Sequence, residues 1–225
     1  MGATEKFTFI FKRQQNMNFA NKTIVFQGDS ITDCGRARTQ DPNVNLGNGY
    51  VFFNSARILA DNPDSNIKIF NRGISGNRIV DLYARWKSDC LNHNPDILSI
   101  LIGINDTWHG FKSNNGVEPE RYERFYREIL EWTKKECPNI ELVLCEPFML
   151  PLGAAETSWV DEVTERRNIV KKMAETFDAK FVAFQTVFDN AIKKAPDDYW
   201  LPDGVHPTSA GHQLMSDAFF KAIAD

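Results

Sequence analysis

The order of the apolar runs along the chain is the feature that most constrains its fold. Short runs rich in β-branched and aromatic residues alternate with longer segments in which apolar residues recur at the period of an α-helix. This alternation is typical of an α/β protein, because parallel strands need crossover connections, which helices usually supply. The runs predict five parallel strands that are covered on both faces: Thr23–Gln27, Ile67–Asn71, Ile97–Ile102, Glu141–Cys145 and Lys180–Phe184.

Three segments between and after these strands carry one apolar stripe each, as expected of helices that cover a sheet. The first stripe consists of Tyr122, Phe125, Tyr126, Ile129 and Leu130. The second consists of Val160, Val163, Val170, Met173 and Phe177. A last helix is predicted over about Ser209–Ile223, with an inner side formed by Leu214, Met215, Ala218, Ala222 and Ile223.

Composition favours one globular domain, which we expect to span residues 17–225. The chain has 225 residues, of which 42% are hydrophobic and 25% charged. The net charge of −4 provides no basic surface for nucleic acid or an anionic membrane, so we expect neither as a partner. We interpret residues 1–16 as an N-terminal extension or a cloning remnant, because Met17 lies close to the first strand and the apolar piece FTFIF is too short for a signal peptide.

The cysteines favour a reducing compartment. Four of them, Cys34, Cys90, Cys137 and Cys145, are scattered without a CxxC spacing, which indicates neither a disulfide framework nor a zinc site. We therefore predict a cytoplasmic protein with reduced thiols. Cys34 follows Ser30 by four positions, but no basic neighbour is known to lower the pKa of its thiol, and we assign it no role.

Four polar segments are predicted to meet at one edge of the sheet. In open α/β sheets, ligands bind beyond the carboxyl ends of the strands. The first three strands lead into glycine-bearing segments, and a fourth such segment precedes the last helix. They are GDS (28–30), NRGISGN (71–77), GIND (103–106) and DGVHP (203–207).

The first of these segments has several readings. It lacks the glycine spacing and the lysine of a phosphate-binding loop, and Asp29 and Asp33 would repel a phosphate. By itself it best fits a helix cap, since Asp and Ser are preferred at helix starts. The DGVHP segment changes this balance. Asp203 can hold one ring nitrogen of His206, three positions on, so that the other nitrogen takes the proton of Ser30.

Acyl transfer also needs hydrogen-bond donors for the negative charge that develops on the carbonyl oxygen. The candidates are the backbone N–H groups of Ser30 and Gly76 and the side-chain amide of Asn105. Each has a simpler interpretation: Gly76 as a turn residue with positive φ, and Asn105 as a loop amide that bonds to the backbone.

The segments GDSITDCGR, NRGISGN, GIND and DGVHP occur in the order of the four sequence blocks of the SGNH (GDSL) hydrolases, which the chain resembles over about residues 22–223. The resemblance implies a three-layer α/β/α, flavodoxin-like fold with a five-stranded parallel sheet of order 2-1-3-4-5. It also implies that Ser30 is the nucleophile, Asp203 the orienting acid and His206 the base, with Ser30, Gly76 and Asn105 in the oxyanion hole. Ile31 replaces the leucine of the family's short name, an exchange between apolar residues.

The flanking residues, including GNGY, NRGISGNRIVDLYARW and GINDTW, look most like the bacterial acetylxylan esterase branch. This resemblance implies a serine esterase that removes acetyl groups from xylo-oligosaccharides or related sugars, without a cofactor or metal. Trp108 and Trp200 lie next to the proposed site segments and are candidates for stacking on sugar or for hydrophobic walls. For the arginines of the first segment, Arg36 and Arg38, we favour salt bridges with Asp33 and Asp41 over contacts with substrate.

Other functions stay open. One is a lipase or acyl thioesterase of longer acyl specificity, and another is a carbohydrate-binding module without turnover. A more distant alternative is a metal-dependent phosphoesterase with ligands drawn from Asp29, Asn105, Asp106, His109, Asp203, His206 and His212. A homo-oligomer also stays open, because no residue pattern specifies the number of chains.

Overall fold

A five-stranded parallel sheet organises the part of the chain that the computed structural model describes, residues 17–224. The predicted extension at residues 1–16 lies outside the described residues. The strands are β1 (Thr23–Gly28), β2 (Lys68–Asn71), β3 (Ile97–Leu101), β4 (Glu141–Cys145) and β5 (Lys180–Val182). Their order is β2-β1-β3-β4-β5, and every pair is parallel. The predicted α/β fold and strand order are therefore confirmed.

Helices connect the strands and cover both faces of the sheet. Their bounds are α1 (Ser30–Asp33), α2 (Tyr50–Asp61), α3 (Ile79–Asp89), α4 (Ile104–Ser113), α5 (Pro119–Glu136), α6 (Val160–Thr176), α7 (Phe184–Ala191), α8 (Asp197–Trp200) and α9 (Ser209–Ala224). Short 3₁₀ turns lie at Leu91–His93 and Thr157–Trp159. No helix within residues 17–224 combines the length and hydropathy that a membrane span needs.

Two apolar cores lie on opposite faces of the sheet, because successive strand residues point to alternate sides. Helices α2, α7 and α9 enclose one core, which includes Phe26, Tyr50 and Phe219. Helices α3, α5 and α6 enclose the other, which includes Trp86 and Tyr126. The strands are buried from both sides, and this explains their continuous apolar sequences.

The predicted helical stripes are largely buried, with one exception. Val160 is 38% exposed, because it is the first residue of α6 and precedes the part of the helix that packs on the sheet. Helix α6 also buries a charged residue, which the apolar periodicity does not predict. Arg166 is fully buried, forms an ion pair with Glu162 and donates to the backbone carbonyl of Val117. Strand ends differ by one or two residues, notably at β5, since Phe184 begins α7 instead of ending the strand.

Candidate active site

The nucleophile candidate Ser30 opens α1 directly after β1. Asp29 caps this helix, and its Oδ1 accepts the backbone N–H of Ile31 at 3.0 Å. Gly28 permits the sharp turn, since a Cβ there would run into the carbonyl oxygen of Leu101 and the side chain of Thr32. Capping and catalysis are thus not exclusive: Asp29 satisfies the backbone, and the side chain of Ser30 is left to face the opposite loop.

Ser30, His206 and Asp203 form one hydrogen-bonded line, although the serine is 176 residues from the histidine in sequence. The Oγ of Ser30 lies 2.8 Å from Nε2 of His206, and Nδ1 of His206 lies 2.7 Å from Oδ2 of Asp203. A carboxylate opposite Nδ1 requires the proton on that nitrogen, so Nε2 is the acceptor for the serine hydroxyl. The geometry is the one that the predicted roles require.

The backbone of the DGVHP loop keeps Asp203 ionised. Burial raises the pKa of Asp203, but hydrogen bonds from the N–H groups of Val205 and His206 and from the His206 ring outweigh it, and the pKa lies below its usual value. Asp203 is therefore an anion over the range in which a histidine titrates, as an orienting acid must be.

The pKa of Asp29, which is next to the nucleophile candidate Ser30, is shifted in the opposite direction to that of Asp203. Its side chain is 1% exposed, and burial raises its pKa to about 7 against the lowering effects of the Ile31 N–H and of nearby His206. The pKa values of the two aspartates near this histidine are therefore shifted in opposite directions, and of the two only Asp203 is hydrogen bonded to the ring.

Two of the proposed oxyanion donors, Gly76 and Asn105, lie on segments that are linked by a hydrogen bond. Gly76 has a φ of 81°, and a Cβ there would meet no atom within 4 Å, so its backbone borders open space. Asn105, in the first turn of α4, donates through Nδ2 to the carbonyl of Asn77 at 3.2 Å. An amide nitrogen carries two hydrogens, so one donor is left for a ligand. The simpler interpretations of Gly76 and Asn105 therefore fit the structure, and their oxyanion roles stay predictions.

Asp33 ties the Gly76 loop to the helix of the nucleophile. Its Oδ2 accepts the backbone N–H of Ser75 at 3.0 Å and the hydroxyl of Ser75 at 3.2 Å. Arg38 donates to the same oxygen at 2.6 Å. Burial raises the pKa of Asp33, but these partners outweigh it and hold the pKa below its ordinary value. The sequence predicts Asp33 only as a salt-bridge partner and as a charge that repels phosphate, and it gives no sign of the bonds to Ser75.

The two arginines behave differently from each other. The predicted salt bridge between Arg38 and Asp33 is present, with the carboxylate 3% exposed. The prediction for Arg36 is wrong: it is 7% exposed and donates to the carbonyl oxygens of Gly73 and Ala37 instead of a carboxylate. The side chain of Arg36 therefore supports the start of the Gly76 loop by binding a backbone carbonyl of that loop. Such a contact depends on the conformation of the loop, so the sequence pattern does not indicate it.

The two tryptophan candidates, Trp108 and Trp200, lie in different places. The ring of Trp108 lies 6.1 Å from the ring of His206, at the site. Trp200 is 9% exposed, donates to the carbonyl of Ala195 and lines a cavity of about 460 Å³ between α7 and α9 that contains no residue of the proposed triad. A sugar contact by Trp200 stays a prediction that this placement does not favour.

Two residues of the metal alternative, Asp106 and His212, accept backbone N–H groups of other segments. Both carboxylate oxygens of Asp106 accept the backbone N–H of Ile79 at the start of α3. His212 accepts the N–H of Tyr50 through Nδ1 at 3.1 Å. Within residues 17–224, no three His, Cys, Asp or Glu side chains are grouped so that they could hold a metal ion.

Cys34 lies against the other nitrogen of His212, with Sγ 3.5 Å from Nε2. Because Nδ1 is an acceptor, the neutral ring carries its proton on Nε2 and donates it to the sulfur. Burial, the largest effect, and the charge of Asp33 raise the pKa of the Cys34 thiol, although the Asn48 N–H lowers it. This environment does not favour a thiolate.

Comparisons with known proteins agree on one family. Residues 26–214 match the GDSL-like lipase/acylhydrolase family. An acetylxylan esterase from Geobacillus stearothermophilus is 35% identical over 210 residues, which cover 91% of this chain and 94% of that protein.

Solved structures show the same likeness in three dimensions. A crystal structure of the Geobacillus acetylxylan esterase has a TM-score of 0.82 at 34% identity, and the match covers 91% of this chain and 94% of that one. A protein from Parabacteroides merdae described as a GDSL-like lipase has a TM-score of 0.87 at 46% identity, with 91% and 96% of the two chains covered.

Proposed function

The chain belongs to the GDSL-like lipase/acylhydrolase family, and we propose that it is a serine esterase that removes acetyl groups from xylo-oligosaccharides or related sugars. The observation that carries the proposal is the hydrogen-bonded line from Ser30 through His206 to Asp203. In the Geobacillus acetylxylan esterase, alanine variants of a serine, an aspartate and a histidine are described as catalytic mutants. These are the residue types of the line proposed here.

The reaction begins when His206 takes the proton of Ser30 as its Oγ attacks the acetyl carbon. The oxyanion that forms accepts hydrogen bonds from the N–H groups of Ser30 and Gly76 and from the Asn105 amide. Each such donor lowers the barrier by an amount worth about 100- to 1,000-fold in rate. His206, held by Asp203, then protonates the sugar oxygen as the C–O bond breaks.

The second half of the reaction uses the same groups in reverse. Water enters beside the acetylated Ser30, and His206 removes its proton as the water oxygen attacks the acyl carbon. The second tetrahedral intermediate is held by the same donors, and its collapse returns the proton to Ser30 and releases acetate. The residues of the chain supply every proton transfer in this scheme.

Acetyl specificity is supported by the relative's name and by the residues around His206. The Geobacillus protein is named for acetylxylan, and the match to it covers 91% of this chain. Trp108 stands beside His206 as a flat apolar surface of the kind that packs on a sugar ring.

A broader acyl specificity is the second candidate, because the family description includes lipases, as does that of the Parabacteroides relative. Initial rates with p-nitrophenyl acetate and octanoate separate the two. A higher kcat/KM on the octanoyl ester than on the acetyl ester would overturn the acetylesterase proposal.

The proposal is tested by measuring acetate release from acetylated xylo-oligosaccharides, acetylated monosaccharides and longer acyl esters. Wild type is expected to release acetate from the sugars, and Ser30→Ala to lose this activity. A fluorophosphonate should inactivate the wild type, whereas EDTA should leave it active. Sensitivity to EDTA with resistance to the fluorophosphonate would favour the metal-dependent alternative. Equal rates for wild type and Ser30→Ala would favour a binding module.

We further propose a cytoplasmic setting, which would keep the thiols reduced. All four cysteines lie within the described residues, and all are free. A homo-oligomer is compatible with this proposal, and light scattering of the purified chain measures the number of subunits.

A further inference from the structure

Aromatic rings continue from the proposed triad to the protein surface. The ring centroid of Trp108 lies 6.1 Å from that of His206 and 5.4 Å from that of Trp159. The ring of Phe111 lies 6.0 Å from Trp159. Trp108 and Phe111 are therefore neighbours of the same tryptophan, and one of them also borders the triad.

Helix α4 presents these two rings on one face. Trp108 and Phe111 are three positions apart within Ile104–Ser113, a spacing that brings side chains together on a helix surface. Trp159 is fully buried at the end of the 3₁₀ turn that packs against α4. Since Trp108 is half-buried and Phe111 is 47% exposed, the buried indole is a rigid base for two more accessible rings.

A charged pair lies near the same buried indole as the exposed ring of Phe111. Lys112 and Glu156 form an exposed ion pair, and Nζ of Lys112 lies 5.9 Å from the centre of the Trp159 ring. A flat apolar ring flanked by charged donors and acceptors matches a sugar, which presents C–H groups on its face and hydroxyls at its edge. An acyl chain offers no partner to these charges and would remove water from them.

We propose that Phe111 is a second sugar platform, which stacks on the ring next to the acetylated one and makes the enzyme prefer oligosaccharides to monosaccharides. Lys112 and Glu156 then bind hydroxyls of that second sugar, and Trp108 borders the acetylated one. The inference rests on the proposed function, because it assigns part of the substrate of the same site.

The test compares Phe111→Ala with Phe52→Ala. Phe52 is a matched control, since it is 48% exposed, lies on α2 and has its ring 5.9 Å from that of Phe53. For each variant, kcat/KM is measured on acetylated xylotriose and on p-nitrophenyl acetate, and the ratio is compared with that of wild type. Phe111→Ala should lower this ratio about three- to tenfold, mainly through KM for the trisaccharide. Phe52→Ala should leave the ratio unchanged.

Two further variants separate a sugar platform from a packing role. Phe111→Trp keeps a flat ring and should retain the ratio, whereas Phe111→Leu keeps apolar contact with Trp159 but loses the flat face and should lower it. An unchanged ratio in Phe111→Ala, or retention by Phe111→Leu, would overturn the proposal. A selective loss on p-nitrophenyl octanoate would also overturn it, in favour of an acyl-chain surface.

Failure of the platform differs from failure of the proposed function. If wild type releases acetate from acetylated xylotriose and Phe111→Ala keeps the ratio, only the platform is wrong. If wild type hydrolyses p-nitrophenyl acetate but releases no acetate from any acetylated sugar, the proposed function is wrong and the platform with it.

Discussion

Asp203 holds His206 at two points: Oδ1 accepts the backbone N–H at 2.7 Å, and Oδ2 accepts the ring N–H at Nδ1 at 2.7 Å. One carboxylate thus fixes both the loop that carries the histidine and the direction of its ring. Because the two residues are three positions apart, the proposed orienting acid belongs to the same turn as the histidine.

Replacement of Asp203 by Asn should reduce kcat about 10³- to 10⁴-fold, with a smaller effect on KM. The amide can accept only through its oxygen, so it cannot serve both N–H groups while keeping the proton on Nδ1. Steady-state kinetics on p-nitrophenyl acetate measure the loss. Ser30→Ala is the reference for a variant without nucleophile, and a kcat for Asp203→Asn within tenfold of wild type would contradict the assignment.

Replacement of Asn105 by Ala should lower kcat about 100- to 1,000-fold at nearly constant KM, because the lost hydrogen bond strengthens only as charge develops on the carbonyl oxygen. Asn105→Asp has nearly the same shape but no N–H donor, and should be at least as slow. If Asn105→Asp kept wild-type kcat, the amide would be a structural bond to Asn77 and not an oxyanion donor.

Asp33 should position the Gly76 loop without touching substrate. Asp33→Ala leaves the Ser75 N–H without its acceptor and should reduce kcat about 10- to 100-fold and stability by about 1–3 kcal/mol. Asp33→Asn keeps an oxygen for Ser75 and should be intermediate. Arg38→Ala removes only the half-exposed partner and should cost least.

The kcat of each variant is measured on p-nitrophenyl acetate. A loss of kcat that decreases from Asp33→Ala through Asp33→Asn to Arg38→Ala would indicate that Asp33 positions the Gly76 loop. The stability of each variant is measured by urea unfolding. If Asp33→Ala lost stability but kept kcat, the carboxylate would support the fold alone.

The sequence predicted the residues that carry their own pattern. Ser30 follows an apolar run and a glycine, and Asp203 precedes His206 by three positions, so both were visible without coordinates. Two arguments predict that these residues lie close together: ligands bind at the carboxyl edge of a parallel sheet, and the chain resembles a known family.

Residues whose partners depend on loop conformation were not predictable in this way. Asp33 binds Ser75, which is 42 positions away, and nothing in the spacing indicates that contact. The four-residue helix that ends at Trp200 is too short to display a buried face in its sequence pattern, so the sequence does not indicate the cavity that this ring lines. Arg36 bonds to carbonyl oxygens, which every residue has, and its partners therefore leave no trace in the sequence.

His212 should make stability fall in acid. Burial lowers its pKa to about 4, with a further lowering from the charge of His206. An unfolded histidine has a pKa of about 6.5, so the unfolded chain binds more protons than the folded one between about pH 6.5 and 4. The contribution of His212 to the free energy of unfolding therefore decreases as pH falls through this range, by at most about 1.4 kcal/mol per pH unit.

His212→Asn tests the origin of that decrease. The Asn oxygen can accept the Tyr50 N–H in place of Nδ1, but the side chain is smaller, so the variant should be less stable than wild type at pH 7. Because Asn does not titrate, the variant should also lose less stability than wild type between pH 6.5 and 4.5. His109→Asn is the control, because it removes a histidine that is only half-buried and whose pKa burial also lowers. Urea unfolding at three pH values gives the slopes. If wild type and His212→Asn had parallel slopes, His212 would not cause the decrease, since Asn does not titrate in either the folded or the unfolded state.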